Sequence, residues 1–253
     1  MGHYHNPSLP TLNNLKWQID AANFRSYPGS GLIIYDLNTN NKNDLTSTAS
    51  VTFTGVGSTS YFTYSGSSQY SNNTSVVSGV LVQGPITINV IFNPNSISTT
   101  QNVIAIYAGA SNSVQIGYRS DTSTGAIWKN GGTALLTFPM AGLGTVMHLA
   151  YTCDGANNSR VYINGALWTS GTVATNTGTA THYALGSFYT GGGEYFNGRI
   201  YYASIYDQVH TADEIAQTYH ALKRRWGYSG IGTFVSGINP SGDPGQGGVG
   251  GPE

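Results

Sequence analysis

Residues 148–168 read HLAYTCDGANNSRVYINGALW. Two short runs rich in β-branched and aromatic side chains, 148–153 and 160–163, lie on either side of an Asp-Gly turn sequence, a pattern typical of strands. Asn164 and Gly165 follow the second run, and both residues of an Asn-Gly pair tolerate the positive φ angles of a two-residue type I′ turn. The stretch therefore predicts a strand followed by a tight hairpin.

Short runs of the same kind recur from about Val51 onward, at intervals of roughly ten residues. Clusters of Gly, Asn, Ser and Thr separate them, and these residues favour turns. The run at 148–153 belongs to a candidate strand at 146–152, and further candidate strands cover residues 86–92, 103–107, 114–119, 183–188 and 199–206. This spacing predicts an all-β sandwich or barrel.

One segment near the C-terminus has helical periodicity. Thr211 and Glu214 form a capping box, in which the two side chains bond exposed backbone N–H groups at the start of a helix. Apolar residues then follow at helical spacing: Ile215, Tyr219, Leu222 and Trp226. We predict a short helix over 212–226 that packs on the edge of the sandwich through the first three of these residues.

The composition excludes several classes of partner. Charged residues make up 8% of the 253 residues and the net charge is −1, whereas ordinary globular proteins hold about 25% charged residues. Because no basic field can concentrate a polyanion, we expect neither nucleic acid nor an anionic membrane surface as a partner. The longest apolar run is about six residues, and roughly 20 are needed to span a bilayer.

The ends of the chain differ from its middle. Residues 1–14 and 229–253 are rich in Asn, Pro and Gly and lack periodicity, which predicts extended arms around a single domain at 15–228. The first residues lack the basic-then-apolar layout of a secretory signal. The single cysteine, Cys153, cannot form an internal disulfide, and its place in an alternating run predicts a buried core residue.

Two stretches resemble the concanavalin A-like lectin and laminin G-like superfamily. The first is the strand, Asp-Gly loop and Tyr-x-Asn-Gly hairpin of residues 148–165. The second is the run 196–200, then 205–207, then the helix of 212–222, which is similar to the closing strand and turn of that family. The resemblance implies an antiparallel two-sheet jelly-roll sandwich, here with one short C-terminal helix and extended terminal arms.

The N-terminal run 17–31, WQIDAANFRSYPGSG, followed by Tyr35-Asp36-Leu37, resembles the opening of such modules in structural proteins of tailed bacteriophages. The usual glycine-rich continuation is replaced by 38–43, NTNNKN. The resemblance implies a location on the virion surface, outside the cell. Its implied partners are viral capsid or tail proteins and other copies of the chain.

Sugar hydrolysis needs two carboxylates that flank the scissile bond, and hydrolases of this superfamily place them on one strand as Glu-x-Asp-x-Glu. No such run occurs here. Of the three glutamates, Glu214 is a helix cap, Glu253 is the last residue, and Glu194 lies alone in a Gly-rich loop. We therefore expect no enzymatic activity and predict no catalytic residue.

A glycan site needs aromatic faces beside hydrogen-bonding groups. Within the loop 188–195, Tyr189, Glu194 and Tyr195 offer this mixture, and we expect Trp168, just after the predicted hairpin, to lie near them. The alternative is that these aromatics are core or interface residues, because 18 tyrosines place rings near many loops by chance.

Calcium is the one cofactor that the pattern permits. Relatives bind it through loop oxygens at one rim of the sandwich, and Asp154, Asn157 and Asp207 are the matching positions. Asp-Gly and Asn-Asn are also ordinary turn chemistry, and the low acidic content leaves few oxygens for a divalent ion. We favour the turn interpretation.

These observations predict a non-enzymatic structural protein of a tailed-phage virion, acting as a capsid decoration, fibre or tail component. The alternative is a carbohydrate-binding adhesion module that recognises host-surface glycan. A structural protein would use its arms and flat faces against viral neighbours, whereas an adhesin would keep a site at its loops open.

Overall fold

The computed structural model describes residues 14–40, 42–48, 51–55, 59–73, 80, 84–109, 112–128, 134–140, 143–172, 178–188 and 193–223. In this part of the chain the elements are, in order, β1 (Leu15–Asp20), β2 (Ile33–Ile34), β3 (Leu45–Ser47), β4 (Thr52–Thr54), β5 (Tyr61–Ser65), β6 (Ser71–Asn72), β7 (Pro85–Pro94), β8 (Gln101–Tyr107), β9 (Ser113–Arg119), β10 (Thr124–Trp128), β11 (Ala134–Phe138), β12 (Met147–Asp154), β13 (Asn158–Ile163), β14 (Ala166–Thr172), β15 (His182–Leu185), β16 (Asn197–Tyr206) and α1 (Ala212–Lys223). The predicted arms lie outside the described residues, except for Asn14.

The strands form two antiparallel sheets. Sheet A has the order β14-β13-β12-β7-β16-β5-β4, and β1 pairs with the second half of β16. Sheet B has the order β11-β10-β9-β8-β15-β6-β3-β2. The all-β, two-sheet sandwich with one short C-terminal helix is thus confirmed.

The main core lies between the two sheets, and strand alternation selects its members. On β7, for example, Ile88 and Val90 are part of this core, whereas Asn89 between them lies on the outer face of sheet A. Full burial of such an aliphatic side chain stabilises the fold by about 1.5–3 kcal/mol. Cys153 is fully buried in the same core, as its place in the sequence predicts.

The predicted strands and hairpin are present, although the ends of several strands differ from the prediction. Asn164 and Gly165 have φ angles of 51° and 83° and connect β13 to β14, as expected for a type I′ turn. The strand predicted at 183–188 ends at Leu185. Gly186 has a φ of 76°, and a Cβ there would lie 2.4 Å from the ring of Tyr64, so the chain turns away at this glycine.

The capping box at the start of α1 is formed. The backbone N–H of Thr211 donates to Glu214 Oε2 at 2.7 Å, and the N–H of Glu214 donates to Thr211 Oγ1 at 3.2 Å. Residues 224–226, the end of the predicted helix, lie outside the described residues. No helix in the described part of the chain has the length and apolar character needed to cross a bilayer.

The helix α1 contacts the edge strand β14, as predicted, but its packing extends from there across the outer face of sheet A. Ile215 forms a buried cluster with Ala150 of β12 and Tyr162 of β13. Leu222 forms another with residues of β7 and β16, including Ile91. Central strands that carry apolar side chains on both faces need cover on the outer face, and the apolar stripe of α1 supplies it.

Candidate functional site

Strand register places a row of side chains on the outer face of sheet B. Ile116 of β9 and Ile127 of β10 lie opposite each other and belong to the core. The neighbouring pair, Gln115 and Trp128, therefore points to the outer face. Asn102 of β8, opposite Gly117, lies on the same face.

The chain that precedes β16 is attached to this face at Asn102. The backbone N–H of Asn102 donates to the carbonyl oxygen of Glu194 at 2.8 Å, and its Nδ2 donates to Glu194 Oε2 at 2.5 Å. Asn102 also forms a parallel bridge with Tyr195. Glu194 has a φ of 52°, a left-handed conformation that non-glycine residues seldom adopt. These contacts hold the carboxylate of Glu194 over the end of β8.

Two opposite charges act on each other at this point. Burial raises the pKa of Glu194, while the hydrogen bond from Asn102 and the charge of Arg119 lower it. The guanidinium of Arg119 donates from Nε to Asp121 Oδ1 at 2.9 Å and lies 5.5 Å from the centre of the Trp128 ring. The hydrogen bond to Asp121 raises the pKa of Arg119, so this side chain stays cationic.

Aromatic rings lie beside Glu194 and at the far end of β8. Tyr195 stacks on Tyr70 with ring centres 6.5 Å apart and an interplanar angle of 24°. Tyr107 contacts Phe188 edge-on at 5.7 Å. Tyr70, Tyr195 and Tyr107 are each partly exposed. The result is a mixed surface of aromatic faces and hydrogen-bonding groups.

One polar atom at this site lacks a hydrogen-bond partner. The side-chain oxygen of Asn102 is buried, and no group in the described part of the chain donates to it. A buried carbonyl oxygen without a donor is unfavourable. The carboxylate, the guanidinium and the rings give this face the features of a site for a hydroxyl-rich ligand. We call the group Asn102, Arg119, Glu194, Tyr195 and Tyr70 the Glu194 site.

The structure brings together two of the predicted sugar-binding residues and separates a third. Glu194 and Tyr195 lie in the Glu194 site, whereas Trp168 lies on β14 at the edge of sheet A, 42% exposed. β14 contacts β11, and β11 lies three strands away from β8 in sheet B. At the usual strand spacing, β11 and β8 are therefore ~14 Å apart, which separates Trp168 from the Glu194 site. Tyr189 lies outside the described residues.

Asn102, Arg119 and Tyr70 were not predicted as site residues. Each comes from a different part of the chain, and none lies in a motif that marks it. Only the pairing of β8 with β9 and of β15 with both β6 and β8 brings them near Glu194.

Asp154 and Asp207, two of the predicted calcium positions, lie at the same rim of sheet A. Asp154 ends β12 opposite Pro85, and Asp207 follows Tyr206, which lies opposite Thr87, so β7 separates them. Asp207 Oδ2 is 2.8 Å from Lys16 Nζ, in a salt bridge.

The oxygens of Asp154 are used within its own turn. Oδ1 accepts from the N–H groups of Ala156 and Asn158 at 2.8 and 3.0 Å, and Oδ2 accepts from Asn158 Nδ2 at 2.7 Å. These bonds, led by that of the Asn158 side chain, lower the pKa of Asp154. Asn157 has a φ of 74°, which the turn requires. In the described ranges, no three His, Cys, Asp or Glu side chains are grouped as a metal site would need.

Comparison with solved structures supports the architecture. Domain 4 of AbnA, a GH43 extracellular arabinanase from Geobacillus stearothermophilus, in complex with arabinotriose, is similar with a TM-score of 0.64 and 16% identity, over 81% of this chain and 98% of that domain. Trypanosoma rangeli sialidase in complex with sialic acid gives a TM-score of 0.63 and 12% identity over 86% of this chain. The match covers 34% of the sialidase, so this chain spans about a third of its length. At these low sequence identities, the similarity shows a shared fold and nothing more.

Comparison at the level of sequence gives the family. No curated protein matches the chain significantly. Residues 57–216 match the model of a family described as the concanavalin A-like lectin/glucanases superfamily. The match covers more than half of the chain and includes the strand, hairpin, closing strand and helix start in which the resemblance was found. The chain therefore belongs to the concanavalin A-like lectin/glucanases superfamily.

Proposed function

We propose that this chain is a non-catalytic carbohydrate-binding module and that the Glu194 site holds the glycan. The observation that carries the proposal is the grouping of a fixed carboxylate, a guanidinium and partly exposed tyrosine rings on the outer face of one sheet. The fold of domain 4 of AbnA, solved in complex with arabinotriose, supports it over nearly the whole of that domain.

The chemistry of the site suits a sugar. The carboxylate of Glu194 accepts hydrogen bonds from hydroxyl groups, and the guanidinium of Arg119 donates to them. The ring of Tyr195 offers an apolar surface to the C–H face of a sugar ring. Because Asn102 and the left-handed backbone hold Glu194 in place, little conformational entropy is lost on binding.

The same residues support a binding rather than a hydrolytic role. Glycoside hydrolysis uses two carboxyl groups about 5–9 Å apart, one of them protonated. The groups that act on the pKa of Glu194 are Asn102 and Arg119, and neither is a carboxyl group. Glu214, another of the three glutamates, is bonded to the first turn of α1.

Titration calorimetry with arabinotriose, preceded by a glycan array, tests the proposal. We expect a saturable glycan ligand whose affinity falls about tenfold in Glu194→Gln and in Asn102→Leu, in line with the loss of a charge-assisted hydrogen bond. Asp213→Asn, which removes an exposed carboxylate on α1, is the matched control and should bind normally. Binding that is equal in all variants, or release of reducing sugar that Glu194→Gln abolishes, would contradict the proposal.

We further propose that the module is carried on the virion of a tailed phage, as a capsid decoration, fibre or tail component. The support is the resemblance of residues 17–37 to the opening of such modules. In the fold this segment contains most of β1 and all of β2, and Phe24 between them is 77% exposed, which offers an apolar contact to a neighbouring protein. Antibody labelling of intact particles in the electron microscope should locate the chain on their surface, and unlabelled particles would refute this role.

A further inference from the structure

A polar pocket lies on sheet A, where β1 faces the chain that follows β2. Its volume is about 490 Å³. Five amide side chains line it: Asn14, Gln18, Asn23, Asn38 and Asn40. Lys16 and Arg25 also line it. None of these residues belongs to the Glu194 site, which lies on sheet B. We call this the β1 pocket.

Hydrogen bonds hold the walls of the β1 pocket in place. The N–H of Leu37 donates to the carbonyl oxygen of Gln18 at 2.9 Å. The Asn38 Nδ2 donates to the carbonyl oxygens of Leu15 and Lys16 at 2.9 and 3.0 Å. Behind this wall, Asp36 Oδ1 accepts from the N–H groups of Gln18 and Asn38 at 3.0 and 2.9 Å. The pocket is therefore formed before any ligand arrives, which reduces the entropy lost on binding.

The side-chain amide of Gln18 is available to a ligand in the β1 pocket. Gln18 is 6% exposed, yet its side-chain amide makes no hydrogen bond to any residue that the structure describes. The amide is open to the pocket, because Gln18 is one of the residues that line it. An amide has one acceptor and two donor positions, so a ligand in the pocket can use it in both directions.

The charges in the pocket leave one cation available. The Lys16 ammonium is paired with Asp207 Oδ2 at 2.8 Å. The Arg25 side chain is exposed, and its guanidinium makes no hydrogen bond or ion pair within the described ranges. The Asp36 carboxyl group lies behind the wall and is bonded to backbone N–H groups. The planar guanidinium of Arg25 thus gives the pocket N–H donors that can bind a carboxylate through two parallel hydrogen bonds.

We infer that the β1 pocket binds the carboxylated sugar unit of an acidic glycan. The amides of Gln18, Asn23 and Asn40 hydrogen-bond its hydroxyl groups, and the guanidinium of Arg25 binds its carboxylate. A simple anion would leave most of the amides unused, and a neutral sugar would leave Arg25 without a partner. The site is separate from the Glu194 site and adds a preference for acidic sugars to the proposed function.

The first experiment compares matched probes by NMR titration of the isotope-labelled chain. Methyl galacturonide and methyl galactoside share their ring hydroxyls and differ in the carboxylate, and N-acetylneuraminate represents the other common source of sugar carboxylates. We expect at least one of the acidic probes to shift the amide signals of residues 14–40 and to bind about tenfold more tightly than the neutral probe. Equal affinity for acidic and neutral probes, or no shifts in residues 14–40 with any of them, would overturn the inference.

The second experiment uses variants of the pocket. Arg25→Gln should reduce the affinity for the acidic probe to that for the neutral probe, and Gln18→Met should weaken the binding of both. Arg160→Gln on β13, which also removes an exposed arginine, is the control and should change neither affinity. Acidic-probe binding that survives Arg25→Gln unchanged would refute the inference. Since Arg25 is exposed, this variant should fold even where Gln18→Met does not.

The two sites can fail independently. Glu194→Gln should leave the binding of acidic probes to the β1 pocket unchanged, and Arg25→Gln should leave arabinotriose binding unchanged. Shifts confined to residues 14–40 support the β1 pocket even when the Glu194 site binds nothing. Shifts confined to the surroundings of Glu194 refute the pocket without affecting the proposed function.

Discussion

The buried imidazole of His148 should make the protein less stable in acid. His148 lies under α1 on the outer face of sheet A with 0% of its surface exposed. Its Nε2 donates to Asn89 Oδ1 at 3.3 Å, and its ring stacks on Tyr219 with centres 5.9 Å apart. Burial lowers the pKa of His148 from 6.5 to about 3, so the imidazole is neutral in the folded chain.

The sign and size of the effect follow from proton linkage. Below pH 6.5 the unfolded chain protonates His148, whereas the folded chain does so only near pH 3, so stability is lost as the pH falls through this window. While the group is protonated in the unfolded chain and neutral in the folded chain, each pH unit changes the free energy of unfolding by about 1.4 kcal/mol. Between pH 7 and pH 5 the free energy of unfolding should therefore fall by ~2 kcal/mol on account of His148 alone.

Urea unfolding at pH 7 and pH 5, followed by circular dichroism, measures this loss. His148→Gln keeps a donor for Asn89 but does not titrate, so its pH-dependent loss should be ~2 kcal/mol smaller than that of the unmodified chain. His220→Gln is the control, because His220 is exposed on the same helix, and it should change the pH dependence much less. An identical pH dependence in His148→Gln and the unmodified chain would refute this account of the buried imidazole.

Three further outcomes are expected. Burial raises the pKa of Asp36 to about 6, and the stability that the neutral carboxyl group contributes is lost as the pH rises through that value. In the same urea assay, the stability of Asp36→Asn relative to the unmodified chain should therefore rise by ~1–2 kcal/mol between pH 5 and pH 7. An unchanged difference between the two proteins would contradict this. Thr211→Ala removes the capping bond to the N–H of Glu214 and should lower the free energy of unfolding by about 1 kcal/mol, whereas Thr211→Ser should not; equal stability of both variants would count against the cap. Asp154→Ala should lower the Tm equally with and without a calcium chelator, because its oxygens bond the turn; a chelator that lowered the Tm of the unmodified chain only would favour calcium.

Several features of the fold could be predicted because they depend on neighbours in the chain. Asn164 and Gly165 adopt positive φ, and Thr211 and Glu214 bond each other across one helical turn. The burial of Cys153 follows from its place in an alternating strand. Turn chemistry, capping and alternation act over a few residues, so the sequence alone contains them.

The candidate sites could be predicted only in part. Glu194 and Tyr195 stand out because a carboxylate and a ring share one loop, but their partners Asn102 and Arg119 lie on strands that look like any other strand. The β1 pocket has no sequence signature at all, since asparagines such as Asn23 and Asn38 are ordinary turn residues.

What the sequence by itself determined is the set of elements: the all-β class, the hairpin, the capped helix and the family pattern. What only the tertiary structure decided is which residues meet. The register of β8 on β9 brings Arg119 toward Asn102, and the pairing of β1 with β16 places Gln18 in the pocket that Arg25 also lines. Local propensities act through adjacent residues, whereas contacts between distant strands are set by sheet order and register, which depend on how the whole core packs.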